Sequence, residues 1–287
     1  MRRLTTLALL ALAARPLPAQ DAPLARGDAA WERRNEGAEG RRAAAGPIGE
    51  AVAAYVEALD RDPASLEARW KLLRALYFQG DHTSGDRETR KGIFGRGREV
   101  AEQTLDLLAA RVGGRDKLDA MEPEAFAGAF AEPEAVARIY FWAAANWGLW
   151  GSTFGKLAAA RQGVAGRVRD YARVVIALDP SYEGGAGHRM YGRLHTEAPK
   201  IPFVTGWIDR DFALEHTRRA YEIDPDHPDS MLFYADALLR FDKTRREEAL
   251  AILGELAAGS PRPSHAVEDA TAIAQARDLL AALGNPP

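Results

Sequence analysis

Three stretches of this chain with apolar residues at helical spacing run into an Asp-Pro pair, and each is followed by another helical run. The pairs are Asp62-Pro63, Asp179-Pro180 and Asp224-Pro225. Proline lacks an amide hydrogen and clashes with the preceding turn, so a helix stops there. Helix, stop and second helix make a hairpin, and hairpins that recur along a chain bury their apolar faces by stacking on one another. Alanine and leucine recur throughout while β-branched runs are scarce, which favours helix over sheet.

Individual positions fit the tetratricopeptide pattern, W-x2-L-G-x2-Y followed by A-x3-F, A and P. Trp70, Leu73 and Tyr77 take the first three anchors, with Arg74 where glycine is expected. Ala51, Tyr55, Ala58 and Pro63 fit the second-helix anchors, and Ala249, Leu253, Leu256 and Pro261 fit them again. Small residues let two helices approach and large ones fill the groove between them. Pro180 and Pro225 are 45 residues apart and Pro63 and Pro180 are 117 apart, so the repeats must carry insertions. The expected fold is all-α, a tetratricopeptide-like helical-repeat solenoid with insertions. Within it Ser65 is expected to cap a helix and Gly80 to end that helix in a left-handed turn. The helix from Ser264 to Gly284 is expected to cap the stack, with Glu268, Asp269, Arg277 and Asp278 as its polar side.

Residues 1–20 have the layout of a secretory signal: Arg2 and Arg3, an apolar run over residues 4–14, then Pro16 and Ala19. Export to the periplasm with removal of this segment is expected; an uncleaved anchor is the alternative, although the apolar run is short for a membrane span. Residues 21–46 read as a linker or an irregular first helix carrying Trp31, and residues 47–287 as the repeat domain.

Loss of Arg2, Arg3 and Arg15 with the signal takes the net charge from -3 to -6, which argues against a nucleic-acid partner. With no cysteine there is no thiol nucleophile, thiolate metal ligand or lipid-modified N-terminal cysteine. No G-x-S-x-G, H-E-x-x-H, P-loop or zinc spacing occurs. The chain is therefore expected to be no enzyme and to hold no cofactor or metal, acting instead by binding, with self-association into a homo-oligomer among the expected partnerships.

Two segments are candidates for that binding. Residues 138–156, RIYFWAAANWGLWGSTFGK, hold Tyr140, Phe141, Trp142, Trp147, Trp150 and Phe154 with no charge between Arg138 and Lys156. An ordinary buried helix is one reading. The other is an aromatic-walled cavity, in which Trp142, Asn146 and Trp150 lie on one helical face and the amide orients an apolar or organic-acid ligand. Residues 182–213 carry His188, Tyr191, His195 and Trp207. His188 and His195 are seven apart, roughly 10 Å along a helix, too far to share a metal without a third element. Gly184, Gly185 and Gly187 suggest a loop, Gly192 a small repeat position, and PKIPFVTGWIDR an insertion that projects from the stack. The site expected from the sequence is Tyr140, Trp142, Asn146, Trp147, Trp150, Phe154, His188, Tyr191 and Trp207.

In order along the chain, YFWAAANWGLW, ALDPSYEGGAGHRMYGRLHTEAPK and ALEHTRRAYEIDPDHPDSMLFYADALL resemble the T-component family of TRAP transporters, over about residues 45–260. The resemblance implies a periplasmic tetratricopeptide-type subunit that docks a solute-binding protein and offers an apolar passage or pocket. Members are often lipoproteins, and this chain lacks the cysteine for that anchor. A non-transport scaffold binding other envelope proteins is the alternative function.

Overall fold

Helices follow one another almost without interruption in a computed structural model that describes residues 22–83 and 85–284. They are α1 (Ala22–Glu32), α2 (Ala45–Arg61), α3 (Leu66–His82), α4 (Arg87–Val112), α5 (Arg115–Asp119), α6 (Phe126–Ala129), α7 (Pro133–Phe154), α8 (Lys156–Arg161), α9 (Val164–Leu178), α10 (Tyr182–Glu197), α11 (Arg210–Ile223), α12 (Pro228–Phe241), α13 (Arg246–Ala258) and α14 (Ala266–Gly284). Extended pairing among the described residues is limited to the isolated bridge between Glu39 and Arg42. The fold is all-α. The signal segment lies outside the described residues, and no described helix is long and apolar enough to cross a membrane.

Local chemistry sets the helix boundaries. Ser65 caps α3 by accepting the Ala68 amide at 3.2 Å, and Asp209 caps α11 by accepting that of Asp211 at 2.7 Å. α2, α9 and α11 end at Asp62, Asp179 and Asp224, each just before its proline. Residues 22–32 form a true helix, with Trp31 buried edge-on against Phe78. Gly80 does not end α3, which continues to His82. It is instead the point where Phe94 presses in, and a Cβ there would lie 2.6 Å from the Phe94 ring.

Long helices pack mainly on their chain neighbours: α1 on α2, α2 on α3, α3 on α4, then α9 on α10, α10 on α11, α11 on α12, α12 on α13 and α13 on α14. The departure is α7, which packs on α3, α4 and α9 together and so sits at the centre of the larger core. A smaller core joins α12, α13 and α14. The first and last helical regions also meet, because the buried Arg34 guanidinium lies over Trp31, donates to the Ser264 carbonyl and pairs with Glu268 at 3.0 Å.

Candidate functional site

The aromatic block of α7 is interior packing. Asn146 is 0% exposed and donates to the Leu73 carbonyl of α3 at 2.9 Å and to the Trp142 carbonyl at 2.8 Å. Its Oδ1 faces Gly97 of α4, where any Cβ would stand 2.1 Å away. Trp147 is 2% exposed, donates to Glu102 at 3.1 Å, and lies under the Arg98 and Arg167 guanidiniums. Tyr140 is buried edge-on between Phe126 and Tyr171. Trp142 is half-buried, packs on Tyr77 and donates to the Tyr182 hydroxyl at 3.1 Å. Trp150 is buried, and Phe154 stacks on it at the exposed helix end.

The face carrying Trp142, Asn146 and Trp150 thus lines no opening at its amide. This corrects the expected cavity for Tyr140, Asn146, Trp147 and Trp150. The physical reason is that α3 and α4 both close on α7, so the amide serves a helix carbonyl rather than a ligand. Sequence spacing fixed which residues share a face, but gave no view of the two helices that cover it.

The second segment is built differently. Gly184 and Gly185 form a tight turn rather than a flexible loop, while Gly187 lies within the helix. Together with Glu183, the first two make one left-handed turn at the start of α10, with φ of 46°, 63° and 84° over residues 183–185. Only glycine takes this conformation freely, and Glu183 holds it at a strain of roughly 1 kcal/mol or more. Arg189, buried one turn on, donates to the Glu183 carbonyl at 2.7 Å and the Gly184 carbonyl at 2.6 Å. Gly192 then allows α11 to approach, since a Cβ there would lie 2.7 Å from the Thr217 backbone nitrogen.

That close approach brings His188, Tyr191 and His195 of α10 against Phe212 and His216 of α11, with Trp207 from the connection. His188 Nδ1 and His216 Nδ1 are 2.9 Å apart, so one ring donates and the other accepts. Burial first, and neighbouring cationic or imidazole groups second, pull both imidazoles down to about 4. Buried His195 accepts the Asp209 amide on Nδ1 at 2.9 Å, leaving its Nε2 with no partner among the surrounding rings. Of the residues expected from the sequence, His188, Tyr191 and Trp207 come together here. His216 and Phe212 were missed, because they lie across the insertion at no diagnostic spacing.

An open groove of about 220 Å³ runs along this cluster, lined by Pro123, Glu124, Arg173, Ile176, Ala177, Tyr191 and His216. Its walls combine apolar side chains, a buried phenol, an imidazole, the exposed Arg173 guanidinium and the exposed Glu124 carboxylate. A larger hollow of about 330 Å³ lies between the start of α4 and the end of α7. Its arginines are already engaged: Arg87 donates to the Thr153 carbonyl, and Arg90 pairs with Asp81. The connection between α10 and α11 projects as expected, with Phe203 fully exposed and Ile201 and Val204 half-exposed. Buried Thr205 holds its base by donating to the Pro199 carbonyl and accepting the Ile201 amide.

Acid acts on the helix that follows. His227 caps α12 by accepting the Asp229 amide at 3.2 Å. Burial, with Arg189, Arg262 and His265 nearby, pulls its pKa to about 3 against about 6.5 in an unfolded chain. The unfolded chain then takes up the proton first, so this stability is complete above pH 6.5 and declines as pH falls towards 3. The protein is expected to be roughly 3 kcal/mol less stable at pH 4.5 than at 7.5 through this group. His227→Asn, which keeps the cap and cannot titrate, is expected to flatten the slope in urea melts; an unchanged slope excludes His227 as its source.

Comparison with known proteins finds no matching family model and no matching curated sequence.

Proposed function

We propose that the chain is an exported tetratricopeptide-type binding protein of a TRAP-type solute uptake system, which engages a periplasmic solute-binding protein and takes a small organic acid. The groove between α9, α10 and α11 carries this reading. Its apolar wall of Pro123, Ile176 and Ala177 suits a carbon skeleton, and Arg173, Tyr191 and His216 suit a carboxylate. In this reading the ligand sits beside Tyr191 rather than at the aromatic block of α7. Chain-order helix packing and the burial of Ala51, Tyr55, Trp70, Leu73, Ala249 and Leu253 support the repeat architecture.

Calorimetric titration with a panel of short mono- and dicarboxylates tests the groove. At least one is expected to bind saturably, and Arg173→Ala, on an exposed side chain, is expected to weaken it about tenfold or more without shifting the melt. No binding across the panel, or binding indifferent to Arg173, excludes this seat. The exposed Ile201, Phe203 and Val204 form a contact patch independent of the groove, which suits the docked solute-binding protein and, in the scaffold reading, another envelope protein.

A further inference from the structure

His188 and His195, seven residues apart on one helix, cannot share an ion. What the sequence did not reveal is that α11 carries a second imidazole to His188. The two Nδ1 atoms face each other at 2.9 Å, with ring planes 29° apart and centroids at 5.0 Å. We propose that His188 and His216 form a binding site for a divalent transition-metal cation of the zinc, nickel or copper kind, open to solvent at the groove.

Two nitrogens each about 2.0–2.1 Å from a tetrahedral metal stand roughly 3.3 Å apart, so the pair needs to open by only about 0.4 Å. His216 can supply that movement, because it is half-exposed and its ring borders the groove, whereas His188 is buried and fixed in α10. The ion takes the place of the proton between the two nitrogens; the ring that donated it shifts to the tautomer protonated on Nε2, the proton passing through water, so both imidazoles stay neutral. Both imidazoles are neutral near pH 7, their pKa values pulled down by burial, so lone pairs are available. Imidazole nitrogen is a ligand type these cations favour. Among the described residues no group of three or more His, Cys, Asp or Glu is arranged around a metal position. The site therefore offers two protein ligands, with water from the groove at the remaining positions, and an affinity well below that of a closed structural zinc site. Tyr191 packs against His216 with ring centroids 4.5 Å apart and planes tilted by 49°.

The test uses the tag-free chain and zinc ion alone. Calorimetry at pH 7.5 is expected to show one saturable equivalent, and His216→Gln to weaken it by about tenfold or more. His188→Gln is expected to do the same, and His195→Gln to leave binding unchanged. Because His188→Gln alters a buried position, nitrogen NMR of the wild-type imidazoles provides a variant-free reading. Zinc is expected to move the Nδ1 resonances of His188 and His216 and to leave those of His227 in place. Absence of a one-equivalent site, binding that survives His216→Gln, or zinc shifts confined to other histidines overturns the proposal. An organic acid that binds through Arg173 while zinc does not bind leaves the proposed function standing and removes only the metal site.

Discussion

Trp147→Ala is expected to remove about 4 kcal/mol of folding stability, the range for truncating a fully buried indole. A domain of ordinary stability holds only about 5–15 kcal/mol in total, so the variant should sit close to unfolding at physiological temperature. Three losses combine. The ring leaves a void among α4, α7 and α9 that their backbones cannot close, because α7 is held from three sides at once. Glu102 loses the indole donor it accepts at 3.1 Å, and the Arg98 and Arg167 guanidiniums lose the ring beneath them. Urea unfolding is the measurement, with the midpoint expected to drop and the slope to stay constant. A loss near 1 kcal/mol would mean that the ring faces space rather than protein, and would restore the cavity that the α7 sequence suggested.

That sequence is a case where pattern and packing part company. The helices themselves were legible: Ser65 caps α3, Asp-Pro pairs follow α2, α9 and α11, and Trp70, Leu73, Tyr55 and Ala51 are buried in the places their spacing implied. These are local facts, set by proline stereochemistry, capping and the 3.6-residue period. Asn146 was also placed on the correct face, but its partner is the Leu73 carbonyl, 73 residues earlier, and its neighbour is Gly97 of a third helix. Periodicity identifies a face and says nothing of what covers it. Gly80 failed in the same way, because a glycine that admits Phe94 looks like a glycine that ends a helix. His216 was invisible for a third reason: its pairing with His188 depends on how the insertion at residues 199–209 returns the chain, and an irregular connection has no period to read.

Arg189→Met is expected to destabilise the chain by about 3 kcal/mol, although it keeps most of the aliphatic stem and removes a buried charge. Removing a buried ion is often neutral when its partners leave with it. Here the partners stay. The Glu183 and Gly184 carbonyls lose donors at 2.7 Å and 2.6 Å, and hydrogen bonds from a charged group contribute about 1.5–3 kcal/mol each. The same bonds hold the left-handed turn of residues 183–185, where Glu183 stores strain. Without them the start of α10 is expected to fray, which would appear in hydrogen exchange as lost protection over the first turns of α10 before any change in α13. A stability change within 0.5 kcal/mol, about the scatter of a neutral surface substitution, would mean that water or Ser230 takes over these carbonyls.

If the chain docks a solute-binding protein as proposed, native mass spectrometry will detect the complex. The purified chain is mixed with a periplasmic solute-binding protein of a TRAP-type system from the same source, with and without the organic acid that the titration identifies. A complex of defined stoichiometry is expected, weakened when Phe203, at the tip of the projecting connection, is replaced by aspartate. Free chains alone, at concentrations where each protein is folded and the acid is bound, would contradict the docking.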